Sequence, residues 1–79
     1  MSGNTDATVE LIEFIAKAIV TNADAVKVTP CEDGRLLELE TASEDRGRVI
    51  GRQGRVAKAM RALLTTASSG GDVRLEIVD

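Results

Sequence analysis

The chain contains no histidine, tryptophan or tyrosine, and only one cysteine, one proline and one phenylalanine among its 79 residues. Without histidine, and with Cys31 alone, it can assemble neither a Cys/His metal cluster nor an internal disulfide, and the commonest general base of enzyme catalysis is missing. No metal, cofactor or catalytic residue is therefore expected, and the single thiol fits a reducing compartment. With Phe14 as its one aromatic, the chain cannot offer the paired rings on which many single-strand binders stack bases. Long apolar runs are also missing. The pattern from Val9 to Val20 is broken by Glu10, Glu13 and Lys17, and neither terminus joins charges to an uninterrupted apolar stretch, so a cytoplasmic rather than secreted or membrane-spanning protein is expected.

What is present is a length suited to one domain, residues 1–79, with aliphatic residues plentiful enough for a compact core; residues 1–5 are polar and are expected to be flexible. A core of this size leaves a thin stability margin, which makes a homodimer a candidate state. The net charge of −3 is unevenly distributed. Met1 to Asp45 carries three Lys/Arg against ten Asp/Glu, whereas Arg46 to Arg61 carries Arg46, Arg48, Arg52, Arg55, Lys58 and Arg61 and no acid. An acidic domain thus has one concentrated basic zone, which suits an anionic partner at one face rather than all round.

Periodicity places the elements. Val9, Ile12, Ile15, Ala16 and Ile19 recur at helical spacing, predicting a helix over about Asp6 to Val20 capped by Thr5 or Asp6. Two strands follow: AVKVT, with Val26 and Val28 on one face, and RLLELET, with Leu37 and Leu39 inward and Glu38 and Glu40 outward. PCEDG between them reads as a turn in which Pro30 stops the ladder. Ser43 is the expected N-cap of a short helix, with Glu44 and Asp45 in its first turn, closed by Gly51. A longer helix should run from Arg55 to about Ala67 on the stripe Val56, Ala59, Met60, Leu63 and Leu64, and DVRLEIVD is a final strand. The short turn makes the first strand pair antiparallel, and the two intervening helices allow the last strand to pair in parallel. The expected fold is α+β, in the order α-β-β-α-α-β, with a three-stranded mixed sheet packed on three helices.

Gly51-Arg52-Gln53-Gly54 lies between the short helix and the long one. Glycine at either end permits backbone angles closed to other residues and removes side chains that would hold a ligand backbone away. An exposed loop of this kind can present N–H groups and a helix start to a phosphate, with Arg52 and Arg55 adding charge and Lys58 next in line. Neither the phosphate-binding GxxxxGK pattern nor a GxGxxG after a strand is present, which favours a repeating phosphate backbone over a nucleotide cofactor.

With its preceding EDRG and closing LEIVD, the run VIGRQGRVAKAMRALL, Val49 to Leu64, resembles the core of a KH domain. The closer resemblance is to the small bacterial single-KH-domain RNA-binding proteins of the KhpA type, and it covers nearly the whole chain. It implies a minimal type II KH fold, in which the loop clamps about four nucleotides of single-stranded RNA. It further implies Gly51 and Gly54 as hinges, Arg52 and Gln53 as the exposed pair, and an aliphatic groove floored near Ile50, the helix from Arg55, and Leu37 or Leu39. Arg48 and the apolar pair Val49-Ile50 complete the candidate RNA-binding set. The implied partner besides RNA is a larger KH-domain-containing RNA-binding protein, and the implied role is RNA regulation.

Bland readings stand beside these. The glycines can simply reverse the chain, the basic side chains can be a solvated helix face, and Gln53 can be plain surface. Ile50 can be structural first, Arg61 can pair with a carboxylate, and Cys31 can be an unreactive strand-end residue. The acids Glu32, Asp33, Glu38 and Glu40 would repel phosphate if they flanked the groove closely. A protein-assembly subunit, docking through its first helix or a strand edge without touching nucleic acid, is the rival function.

Overall fold

The computed structural model describes residues 3–67 and 73–78. Helix α1 spans Gly3–Ile19, strand β1 Lys27–Cys31 and strand β2 Leu36–Glu40; helix α2 spans Arg46–Ile50, helix α3 Arg55–Ala67 and strand β3 Arg74–Val78. The sheet order is β1-β2-β3, with β1 antiparallel and β3 parallel to the central β2. This is the α+β arrangement expected of a type II KH domain.

One layer of aliphatic side chains joins helices to sheet. Ile12 and Ala16 from α1, Val49 from α2, and Met60 and Leu64 from α3 meet Val26, Leu37, Leu39 and Leu75 in a single cluster. Leu37 and Leu39 are completely buried, whereas Glu38 and Glu40 point to the opposite face of the sheet, as alternation along a strand requires. Three expectations need correction. Helix α1 begins at Gly3, so Thr5 and Asp6 lie inside it rather than capping it. On α3 the buried residues are Ala57, Met60 and Leu64; Ala59 is exposed and Leu63 is 46% exposed, because the stripe facing the sheet is centred one position away from the expected one. Pro30 sits within β1, paired with Leu37, rather than ending it. An edge strand tolerates proline when the missing N–H faces outward, away from the ladder.

Pro30 therefore blunts one sheet edge. The other edge is β3, where the Arg74 N–H donates inward to the Arg35 carbonyl at 2.7 Å, so the Leu75 carbonyl points outward. Arg61 Nε donates to that carbonyl at 3.3 Å, so the arginine is fastened to a strand and not to the carboxylate considered from sequence. The TTASSGG connection falls largely outside the described residues.

The junction before α2 also departs from expectation. Ser43–Asp45 form a 3-10 turn flanked by Ala42, and no side chain caps it. Asp45 is only 1% exposed and turns back to the end of the first helix. Its Oδ1 accepts from the Thr21 N–H at 3.0 Å and the Thr21 hydroxyl at 2.9 Å, and its Oδ2 accepts from the Asn22 N–H at 3.0 Å. Arg48 Nε lies 3.4 Å from the same carboxylate. The Thr21 amide foremost, then the Asn22 amide and the Thr21 hydroxyl, with Arg48, hold the Asp45 carboxyl below the usual aspartate range despite its burial.

Candidate nucleic-acid interface

Helix α2 ends because Gly51 leaves the helical region, at φ 80° and ψ 170°, while its N–H still donates to the Gly47 carbonyl at 2.8 Å. This backbone conformation is accessible essentially to glycine alone. Space reinforces the requirement: a Cβ on Gly51 would stand 2.5 Å from Val56 Cγ2 and 2.8 Å from the Val56 nitrogen. Gly51 is thus the point where the chain passes tightly under the start of α3.

The next three residues make a 3-10 turn, Arg52–Gly54, with Gln53 at φ 56° and Gly54 at φ 74°. Gly54 N–H donates to the Gly51 carbonyl at 3.0 Å, and Arg55 N–H donates to the Arg52 carbonyl. Those bonds close the turn and leave the amides of Arg52 and Gln53 outside it, followed by the first-turn amides of α3, which have no intrahelical acceptor. A Cβ on Gly54 would meet nothing within 4 Å. The two glycines therefore differ: Gly51 is closed against protein, and Gly54 opens on solvent.

Arg52, Gln53, Arg55 and Lys58 are all exposed around this opening. Arg52, Arg55 and Lys58 form no ion pair among the described residues, so their charge is not neutralised internally. Arg55 and Lys58 lie about one turn apart on α3. Arg48 is also exposed, but its guanidinium is drawn toward Asp45. Ile50 is 37% exposed at the end of α2 and Val56 is half-buried beside Gly51, giving the loop an apolar margin, and Leu63 continues that flank of α3.

Val49, expected in the RNA-binding set, and Leu37 and Leu39, either of which was expected to help floor the groove, are not on this surface. Val49 is completely buried in the core, and so are Leu37 and Leu39. Their side chains fill the space between helices and sheet and cannot floor an open groove. Val56 and Asp45 were the residues that sequence reasoning missed. Val56 could have been suspected as the first apolar residue after the second glycine, whereas the Asp45 clamp joins positions 24 residues apart and leaves no local pattern.

The acids lie apart from the opening. Glu38 and Glu40 project from the sheet face opposite the helices. Glu32 reaches Arg74 at 3.7 Å, at the end of the sheet where α3 has finished, whereas the glycine turn stands where α3 begins. A helix of 13 residues separates those ends by about 20 Å. Cys31, half-buried on β1, has its thiol pKa pushed up by burial and by Glu38, the reverse of what a reactive thiolate needs. No group of three or more His, Cys, Asp or Glu able to hold a metal ion occurs among the described residues, and no helix there is long and apolar enough to cross a membrane.

Residues 9–78 match the family model described as the KH domain of KhpA/KhpB. The RNA-binding protein KhpA of Treponema pallidum is 46% identical over 74 residues, covering 89% of this chain and 92% of that protein. The protein of the same name from Borreliella burgdorferi is 44% identical over 75 residues, covering 90% and 92%. That of Listeria monocytogenes is 45% identical over 74 residues, covering 89% and 97%. No solved structure matches the chain.

Proposed function

Because this chain belongs to the KhpA/KhpB family of KH domains, we propose that it binds single-stranded RNA without catalysing a reaction on it, seating the sugar-phosphate backbone on the turn from Gly51 to Gly54. The observation that carries the reading is the open side of Gly54, where main-chain amides, the start of α3 and the unneutralised Arg52, Arg55 and Lys58 converge. Phosphate contacts there fix position and register, and bases then lie along Ile50 and Val56, with the Gln53 amide offering both a donor and an acceptor to a base edge or ribose. One such surface is small. A second copy, or a larger KH-domain-containing RNA-binding protein on the same transcript, raises effective affinity by tethering, and the natural setting is post-transcriptional RNA regulation in the cytoplasm.

Gly54→Asp tests the site. Its side chain enters open space, so the fold measured by circular dichroism should be retained, while the added carboxylate occupies the phosphate position and abolishes the anisotropy change with short single-stranded RNAs. Retained binding with an intact fold removes the turn from the interface and favours the rival assembly function. An NMR titration with matched RNA and DNA pools should move the amides of residues 50–58 first, with larger shifts for RNA.

A further inference from the structure

The outer edge of β3 differs from an ordinary strand edge, which offers a row of unpaired N–H and C=O groups. The Arg74 N–H turns inward to the Arg35 carbonyl, so the N–H and C=O of Leu75 both turn outward. Left alone, they would stand as one donor beside one acceptor. Arg61 changes that pair. Its Nε–H, reaching across from α3, donates to the Leu75 carbonyl at 3.3 Å. A guanidinium has five N–H donors and no acceptor, so four N–H groups remain after this bond, next to the Leu75 N–H. The outward acceptor of Leu75 is engaged, and donors stand in its place.

This edge borders a cavity of about 410 Å³ between α3 and β3, within the range of sites that take a small ring compound. Leu36, Val73 and Leu75 line it with aliphatic surface, and Arg61 and Thr65 line it from the helix. Glu76 also borders it, but alternation with the buried Leu75 sends the Glu76 side chain to the opposite face of the sheet. Lys58, Arg61 and Thr65 follow one another at intervals of three and four, so one flank of α3 leads from the glycine turn to the cavity. Arg61 lies about 9 Å along the helix from Arg55, within the span of the roughly four nucleotides that such a turn clamps. A base arriving there meets apolar walls and N–H donors.

The four bases differ in what they can give such an edge. Guanine carries two neighbouring acceptors, N7 and O6; adenine sets N7 beside an amino donor, cytosine presents an amino donor, and uracil has O4 alone. Paired donors therefore fit guanine, whereas the amino group of adenine or cytosine meets them donor to donor. We infer that Arg61 is the specificity-determining residue of a base pocket between α3 and β3, which takes guanine in preference to adenine, cytosine or uracil. The inference rests on RNA being seated at the glycine turn, and it adds which base the neighbouring surface selects.

Anisotropy with the full chain and a set of cytidine octamers reads the preference: one all cytidine, the others with a single central guanosine, adenosine or uridine. The guanosine should tighten binding by about tenfold, and 7-deazaguanosine at the same place, lacking the N7 acceptor, should forfeit most of that gain. Arg61→Lys keeps the charge at this exposed position but not the planar fork, so it should bind the all-cytidine octamer as the wild type does and lose the guanosine gain. An arginine with a merely structural role would instead weaken every octamer alike. Should that variant fail to fold by circular dichroism, the 7-deazaguanosine comparison on the wild type decides. Equal affinity of the wild type for all four octamers, or a preference for adenosine or uridine, overturns the pocket and leaves the glycine turn in place. A guanosine gain that survives Arg61→Lys overturns the role of Arg61, and one that survives the loss of N7 overturns the paired-acceptor contact. If no octamer binds, the RNA reading itself fails and this inference falls with it.

Discussion

At the scale of single residues, Gly51 and Gly54 share a positive φ but not a reason for it. Gly51→Ala forces a side chain into a glycine-only backbone region and against Val56, and should cost about 3 kcal/mol or more, read as a lowered denaturation midpoint. Gly54→Ala carries the conformational cost alone, about 1 kcal/mol, and should lower the melting temperature by about 4–8 °C, well short of the loss at Gly51. Asp45 is the other residue with a separable role. Its carboxyl is held below its ordinary value of 3.8 in the folded state, so the unfolded chain binds the proton more readily. The stability this group contributes is therefore full above the ordinary aspartate range and is lost as pH falls through its lower folded value. Asp45→Asn should reduce stability at neutral pH and flatten that acid limb, as denaturant titrations at pH 7 and below would register.

At the scale of elements, packing decides more than propensity. Met60 is almost completely buried where α3 meets the sheet, so Met60→Ala should destabilise by about 2–5 kcal/mol in equilibrium unfolding. Leu63→Ala, on the exposed flank, should cost much less. The same contrast shows what could be read from the sequence. The order of elements, the sheet pairing and the bounds of α3 were legible because alternation in LLELE and helical spacing in Val56 to Leu64 are strictly local signals. The placement of Pro30 was not, because its tolerance depends on β1 being an edge, a fact of topology. The Asp45 clamp to Thr21 and Asn22 was likewise hidden by sequence distance. At the candidate site the charged members were legible, since among the described residues none neutralises Arg52, Arg55 or Lys58. The apolar members were partly misassigned, because an apolar residue beside a groove and one beneath it, such as Ile50 and Val49, look alike until burial is known.

At the scale of the whole molecule, a protein of net charge −3 gathers six of its ten basic residues between Arg46 and Arg61, with no acid among them. If Arg52, Arg55 and Lys58 are the phosphate contacts, the logarithm of RNA affinity should fall with the logarithm of salt with a slope of about −2. Neutral replacements at Arg52 and Arg55 together should bring that slope to about −0.7 and weaken binding across sequences alike. An unchanged slope would take both arginines out of phosphate contact. The two sheet margins bear on how molecules meet. Pro30 withholds a donor on one side and Arg61 occupies an acceptor on the other. With a donor withheld at one margin and an acceptor occupied at the other, a newcomer finds fewer groups with which to lengthen the sheet, which works against fibrous aggregation.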